Sequence, residues 1–179
     1  MHHALRSLLA PASVALVGAS ERAGALGRIV FENLRGGGFS GDVHAVNPQH
    51  LRVFDAVSYR SLGAIGKPVD LAVIATPPAS VVSILDDAAK AGIASAVVIT
   101  AAPPGDPRAA ARWLDDVAAR ARSHRIRLVG PGAFGVIRTD LGLNATYSDV
   151  AAIRGRLALI SQSGAVCTAM LDFASPMGI

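Results

Sequence analysis

The chain has 179 residues, 51% of them hydrophobic, which is enough for one domain with a core and the start of a second. The formal charge of +4 does not indicate nucleic acid binding, because the arginines are scattered and only 4% of residues are aromatic. No apolar run approaches the roughly 20 residues of a membrane-spanning helix, and residues 1–12 lack the apolar region of a signal peptide. The single cysteine, Cys167, excludes an internal disulfide, fits a reducing cytoplasm and is expected to be buried in a helix.

Apolar strands and helices alternate along the chain. Strands are predicted at residues 13–17, 42–46, 71–75, 95–100 and 127–129, with a weaker extended segment at 53–59. Helices are predicted at residues 26–34, 79–91 and 107–123. Glycines 36–38 and Gly92 end the first two helices, and Asp106-Pro107 begins the third. Trp113 should pack beneath its helix, whereas Asp86-Asp87 and Asp115-Asp116 read as solvated helix faces.

The strands are apolar throughout, which indicates a parallel sheet covered on both faces by helices. The predicted fold class is therefore α/β, a Rossmann-like doubly wound sheet. Ligands of such sheets bind beyond the carboxyl ends of the strands, near the reversal of strand order. Five loops rich in small or turn-forming residues follow the predicted strands, at 18–20, 47–49, 76–78, 100–102 and 130–132. We expect these loops to share one edge of the sheet and to form one site.

The loop after the first strand has the composition of a phosphate-binding turn. Gly18, Gly24 and Gly27 allow the main chain to approach a ligand closely, and the next helix directs its free amides at an anion. The NAD fingerprint is incomplete, because Ser20 occupies a glycine position and the second strand ends in Asn47-Pro48 without a carboxylate. No Walker lysine follows the glycines. The expected ligand therefore carries a phosphorylated adenosine and is not plain NAD.

Seven segments occur in the order typical of the nucleoside-diphosphate-forming acyl-CoA synthetases: LLAPASVALVGAS, GFSGDVHAVNP, KPVDLAVIATPP, AGIASAVVITA, IRLVGP, GLNATYS and LALISQSGA. The chain thus resembles this family, which is similar to the α subunit of succinyl-CoA synthetase and shares its module with multidomain protein acetyltransferases. The resemblance implies CoA as the cofactor. It also implies a CoA-binding domain over residues 1–145, followed at 146–179 by a linker and the first strand and helix of a second, flavodoxin-like ligase domain.

The resemblance assigns CoA contacts to the first loop, the turn after the second strand and the ends of the third and fourth strands, namely Gly18, Ala19, Ser20, Glu21, Arg22, Gly24, Asn47, Pro48, Gln49, Thr76, Pro77, Pro78, Ile99, Thr100 and Ala101. The first loop would surround the CoA phosphates through main-chain amides, and the second-strand turn would meet the 3′-phosphorylated ribose. Because this chain lacks the lysine that relatives often have there, Arg52 or Arg22 would have to replace it.

Two later segments concern the reaction itself. The family pattern G-P-N-C-x-G appears at residues 130–135 with Gly132 and Ala133 in place of asparagine and cysteine. A strand at 157–160 and a helix from Ala165 are predicted to enclose a phosphate-binding turn, formed by Ser161, Gln162, Ser163 and Gly164. In the family this turn faces the phosphate of a phosphohistidine that lies beyond the position of Ile179. None of the five histidines matches it or has metal-ligand spacing, so no catalytic residue and no metal is assigned.

The expected partners are CoA or acyl-CoA and an ATP-grasp domain or subunit, in an oligomeric cytoplasmic enzyme that contacts neither nucleic acid nor membrane. We expect the chain to be part of a longer protein and to be inactive alone. Three functions remain open: a CoA-binding part of an acyl-CoA synthetase or acetyltransferase, a non-catalytic acyl-CoA sensor, and an NAD-binding dehydrogenase domain.

Overall fold

Seven short strands form one sheet in the computed structural model, which describes residues 3–179. They are β1 (Ser13–Val17), β2 (Asp42–Val46), β3 (Arg52–Val53), β4 (Ala56–Tyr59), β5 (Leu71–Ile74), β6 (Ser95–Val98) and β7 (Arg127–Val129). The strand order is β3-β4-β2-β1-β5-β6-β7, and every neighbouring pair is parallel except the β3–β4 hairpin. Since β1 has β2 on one side and β5 on the other, the order reverses at β1. This confirms the predicted doubly wound, Rossmann-like sheet.

The helices are α1 (His3–Leu9), α2 (Leu26–Gly36), α3 (Pro78–Lys90), α4 (Pro107–Ser123) and α5 (Gly164–Ala174). The three helices predicted between the sheet strands are confirmed as α2, α3 and α4. The start of α4 is the predicted one, because the Asp106 carboxylate accepts a hydrogen bond from the Arg108 amide at 2.8 Å. Within residues 3–179, no helix combines the length and hydropathy needed to cross a bilayer.

Each face of the sheet is covered, as its uninterrupted apolar strands require. On β1, Ala15 and Val17 face the core cluster formed with α3 and α4, whereas Val14 and Leu16 face the cluster formed with α2. All four side chains are buried. Trp113 packs against the first cluster as predicted, and its indole Nε1 donates to the Pro78 carbonyl at 2.9 Å.

A second hairpin, which the sequence analysis did not predict, covers the outer side of α2. It consists of β8 (Gly135–Arg138) and β9 (Leu143–Thr146). The Asn33 amide on α2 donates to the carbonyls of Thr146 and Ser148, both at 2.9 Å. At the end of α2 the backbones touch, since a Cβ on Gly37 would lie 2.5 Å from the Gly142 carbonyl oxygen. Helix α2 is therefore enclosed between the sheet and this hairpin.

Three predictions from the sequence are wrong, and two of them concern residues 146–179. No strand forms at residues 157–160, where Leu157 and Ile160 are 82% and 98% exposed, because no neighbouring strand is present among the described residues to pair with them. Cys167 lies in α5 as expected, but it is only half-buried, and no residue of that helix is buried.

Asp86 and Asp87 are not the simple solvated face that was predicted. The Asp86 carboxylate on α3 accepts hydrogen bonds from two side chains of the α4 region, His124 Nε2 at 2.6 Å and Arg120 Nη1 at 2.8 Å. The hydrogen bond from His124, reinforced by that from Arg120, lowers the pKa of Asp86. Asp87 accepts from the Leu62 amide at 2.8 Å. The pair thus connects α3 to its neighbours.

Acidification should destabilise the fold through His44 on β2. Its Nε2 is buried without a hydrogen-bond partner within residues 3–179, and burial lowers the pKa of His44 below 6.5, with Lys67 acting in the same direction and Asp42 opposing it. The unfolded chain therefore binds a proton at a higher pH than the folded chain. The free energy of unfolding should fall as the pH drops below about 6.5.

Urea unfolding at a series of pH values between 7.5 and 5 tests this expectation. His44→Leu should flatten the pH dependence, whereas His50→Gln, at an exposed histidine, should keep it. An unchanged slope in His44→Leu would contradict the assignment.

Candidate functional site

The loop after β1 lies where the strand order reverses, and its first residue can only be glycine. Gly18 has φ +94°, and a Cβ there would lie 2.5 Å from the Ala75 carbonyl oxygen at the end of β5. Its amide donates to the Val46 carbonyl of β2 at 2.9 Å. Gly18 therefore brings the ends of three adjacent strands into direct contact.

The same loop meets the start of α2 at Gly27. A Cβ on Gly27 would lie 1.8 Å from the Gly18 carbonyl oxygen, so the helix approaches the loop as closely as its backbone allows. Ala25 precedes α2 without any side-chain capping bond. The first turn of α2 is therefore left uncapped by protein side chains and directs its amides along the predicted site.

Several main-chain amides of the first loop have no acceptor within residues 3–179. They belong to Ser20, Glu21, Ala23 and Gly24, and to Ala19, which is itself buried in the core. The Ser20 hydroxyl accepts from the Arg22 amide at 3.1 Å and so fixes the turn. A cluster of unpaired amides beside a helix N-terminus is the arrangement that binds phosphate oxygens. The residues present therefore fit a pyrophosphate.

Asn47, after β2, connects its turn to the first loop. Its Nδ2 donates to the Ala19 carbonyl at 2.8 Å, and its Oδ1 accepts from the amides of Gln49 at 2.8 Å and His50 at 3.3 Å. Pro48 and Gln49 are exposed at the same edge. The predicted phosphate loop and the predicted ribose turn are thus held together by one side chain.

Three further loops continue along this edge. The Thr100 hydroxyl donates to the Thr76 carbonyl at 2.7 Å, and the Gly132 amide donates to the Thr100 carbonyl at 2.9 Å. Pro77 and Pro78 begin α3 here, and Ala101 is exposed. Ile99 and Thr100 are buried, and the side chain of Ile99 packs in the core and leaves only its backbone for the edge. Direct hydrogen bonds and contacts therefore link all five predicted loops.

The segment at residues 161–164 reaches only one end of this edge. Ser163 caps α5 by accepting from the Val166 amide at 3.3 Å. A Cβ on Gly164 would lie 3.0 Å from the Tyr147 hydroxyl, and Tyr147 contacts Phe134 edge to face at 5.4 Å between ring centroids. Ser161 and Gln162 are exposed. This turn therefore adjoins the 130–135 loop and not the first loop.

Three arginines lie near the Asn47 turn, and they differ in whether the guanidinium group is already hydrogen-bonded. Arg52 donates from Nη2 to the Asp55 carbonyl at 2.8 Å, whereas the exposed Arg22 side chain has no partner within residues 3–179. Sequence reasoning missed Arg60, which is exposed and directly follows β4. Tyr59, which precedes Arg60 in sequence, accepts a hydrogen bond at its carbonyl from the Asn47 main-chain amide at 2.9 Å. The signal that could have identified Arg60 is an arginine at the end of the extended segment 53–59.

Metal chemistry has no candidate in the part of the chain that is described, since residues 3–179 contain no cluster of three potential histidine, cysteine or carboxylate ligands. His2 lies outside these residues. The site consists of main-chain amides, hydroxyls and arginines, which suits an anionic organic ligand.

Comparisons with known proteins agree with this geometry. The chain is 35% identical over 176 residues to the ADP-forming acetate–CoA ligase of Methanocaldococcus jannaschii, covering 98% of this chain and 24% of the relative. It is 33% identical to the ADP-forming 4-hydroxybutyrate–CoA ligase of Nitrosopumilus maritimus, and the match covers 96% of this chain and 25% of that relative. The chain thus spans about a quarter of the length of these curated relatives.

Among solved structures, the "dinucleotide forming" acetyl-coenzyme A synthetase 1 of Ca. Korarchaeum cryptofilum, in complex with phosphate and ADP, superposes with a TM-score of 0.87. The sequences are 33% identical, and the match covers 95% of this chain and 36% of that one. The family model of the CoA binding domain matches residues 12–139, which include the five loops at the carboxyl edge of the sheet. The chain therefore belongs to the CoA-binding domain family, and CoA is its cofactor, as predicted.

Proposed function

We propose that this chain is the CoA-holding part of an NDP-forming acyl-CoA synthetase, and that the site at the carboxyl edge of the sheet is where CoA binds. The single observation that carries the proposal is the group of unpaired amides at Ser20, Glu21, Ala23 and Gly24, placed against the uncapped start of α2. The family match of residues 12–139 and the ligase names of the relatives support it.

In this proposal the pyrophosphate of CoA lies on the first loop, and the ribose and its 3′-phosphate lie at Asn47, Pro48 and Gln49. Arg22 and Arg60 supply positive charge to the 3′-phosphate, because neither side chain has a partner within residues 3–179, whereas Arg52 is already hydrogen-bonded to Asp55. The pantetheine arm follows the edge past Thr76, Pro77 and Pro78 toward Thr100 and Ala101, with Ile99 contributing backbone alone.

The chain's own residues bind and orient the thiol end; they do not perform acyl transfer. Bound CoA supplies the thiol that accepts the acyl group. The full reaction interconverts acyl-CoA, phosphate and NDP with acid, CoA and NTP. It requires a phosphohistidine and an ATP-grasp domain or subunit, and we propose that both lie outside this chain. We also propose an oligomeric, cytoplasmic enzyme.

We propose that residues 1–145 form the CoA-binding domain and that 146–179 begin a second domain. Support comes from exposed apolar side chains in the second part, including Ile160 and Phe173, and from α5, which has no buried residue. Apolar surface of this kind is normally covered. In the complete domain Ser161, Gln162, Ser163 and Gly164 would bind the transferred phosphate.

A second candidate function, a non-catalytic acyl-CoA sensor, is favoured by one feature. Gly132 and Ala133 replace the asparagine and cysteine of the family pattern, so the loop at residues 130–135 lacks the side-chain amide and the thiol of that pattern. Such a protein would bind acyl-CoA without turnover. A coding sequence that continues without a glycine-flanked histidine and an ATP-grasp region would favour this candidate.

Titration calorimetry with CoA and 3′-dephospho-CoA tests the proposal. The chain should bind CoA about 30-fold more tightly than 3′-dephospho-CoA, because the 3′-phosphate forms charge-assisted hydrogen bonds with Arg22 and Arg60. Arg22→Ala and Arg60→Ala should each reduce this preference. Arg122→Ala, which removes the same charge from the far end of α4, should not. Equal affinity for both ligands, or NADH binding without competition from CoA, would contradict the proposal.

A further inference from the structure

The tip of the β3–β4 hairpin has an unusual backbone conformation and lies beside the first loop. Phe54 has φ +51°, a left-handed value that a phenylalanine adopts only when its surroundings hold it there. Its ring stacks on Phe31 of α2, with centroids 5.8 Å apart and planes within 3° of parallel. Because Phe31 is buried in the core, the hairpin tip is anchored to the helix that presents the loop.

Glu21, in the middle of the first loop, binds this tip. Its Oε1 accepts a hydrogen bond from the Phe54 amide, although the two residues are 33 positions apart in sequence. The Glu21 carbonyl accepts from Arg28 Nη1 at 2.8 Å, and the Arg28 guanidinium lies 5.3 Å from the centre of the Phe54 ring. Glu21 is therefore held through both its side chain and its main chain.

This arrangement explains why a carboxylate is present in a loop that binds phosphates. A free Glu21 side chain would repel the pyrophosphate, since like charges a few ångströms apart are unfavourable. The hydrogen bond to Phe54 directs the carboxylate to the hairpin, and the Arg28 guanidinium fixes the Glu21 main chain. The unpaired amides of the loop then have one fixed arrangement.

We propose that Glu21, Arg28 and Phe54 form a latch that fixes the CoA-phosphate loop, in which Glu21 is a positioning residue and makes no side-chain contact with the ligand. The inference rests on the proposed function of the loop. It also predicts coupling in the other direction: CoA should hold the latch closed, because a ligand that binds only the latched loop shifts the opening equilibrium toward it.

Substitutions at Glu21 test the latch by calorimetry. Glu21→Ala should weaken CoA binding about tenfold, because the loop loses the hydrogen bond that fixes its amides. Glu21→Gln should restore most of the affinity, since its amide oxygen can still accept from Phe54. Glu32→Gln, which removes the negative charge of the other Arg28 partner, 2.9 Å away, is the matched control and should bind like the original chain.

Hydrogen exchange of the Phe54 amide in the unsubstituted chain provides a readout that does not depend on how a variant folds. Its exchange should slow severalfold when CoA is added. Unchanged exchange at saturating CoA, or an unchanged affinity in Glu21→Ala, would overturn the latch while leaving CoA binding intact. A Glu21→Gln variant as weak as Glu21→Ala would also overturn it. If the unsubstituted chain fails to bind CoA, the proposed function itself is wrong.

Discussion

Replacing Gly27 with alanine should destabilise the chain by about 3 kcal/mol and abolish measurable CoA binding. The new Cβ would lie 1.8 Å from the Gly18 carbonyl oxygen, so α2 must move away from β1 or the first loop must change shape. Overpacking a close backbone contact typically costs about 1–3 kcal/mol, and neither backbone can rotate away as a side chain could. Urea unfolding measures the stability, and calorimetry measures the binding.

Gly36→Ala is the matched control, because Gly36 belongs to the same helix and a Cβ there would meet nothing within 4 Å. Alanine has the higher helix propensity, so this variant should be unchanged or slightly stabilised, by up to about 1 kcal/mol. A Gly27→Ala chain with the stability and CoA affinity of Gly36→Ala would refute the close packing of α2 on the first loop.

Asn47→Asp should weaken CoA binding about 30-fold. Asn47 donates from Nδ2 to the Ala19 carbonyl at 2.8 Å, and aspartate would place an oxygen against that carbonyl. The new carboxylate would also stand beside the proposed 3′-phosphate position and repel it. The two effects together amount to about 2 kcal/mol of binding free energy. Calorimetry with CoA at two salt concentrations measures the loss and its electrostatic share.

Asn144→Asp controls for the added negative charge. Asn144 lies on β9, where its Oδ1 accepts from the Thr146 hydroxyl at 2.7 Å, and aspartate preserves that acceptor. CoA affinity should stay close to the original value. If the two aspartate variants weaken CoA binding equally, the effect comes from net charge and not from the position of Asn47.

The sheet and its ligand-binding edge could be predicted from sequence because both depend on local signals. Five strands of the sheet are mostly apolar segments followed by turn residues, and in a parallel sheet such turns necessarily share one edge. The loop at Gly18 was predicted for the same reason. Its glycines, however, have distinct roles that only the three-dimensional contacts show, with Gly18 against β5 and Gly27 against Gly18.

What could not be predicted depends on contacts distant in sequence. The strands of the β8–β9 hairpin are short, and β8 is only half-buried, so residues 135–138 show no alternating pattern. At residues 157–160 a strand was predicted but is not present. Their composition favours a strand, but a strand requires a pairing partner. The hydrogen bond between Glu21 and Phe54 joins residues 33 positions apart in sequence. Neither residue type indicates this contact.

The enclosure of α2 between β1 and the β8–β9 hairpin lowers the entropy cost of ligand binding. Asn33 and the touching glycines Gly37 and Gly142 immobilise one end of the helix, and Gly27 immobilises the other. The loop's conformational freedom is therefore lost during folding and not upon ligand arrival. A preorganised cradle of this kind can bind a highly hydrated diphosphate without an additional ordering penalty.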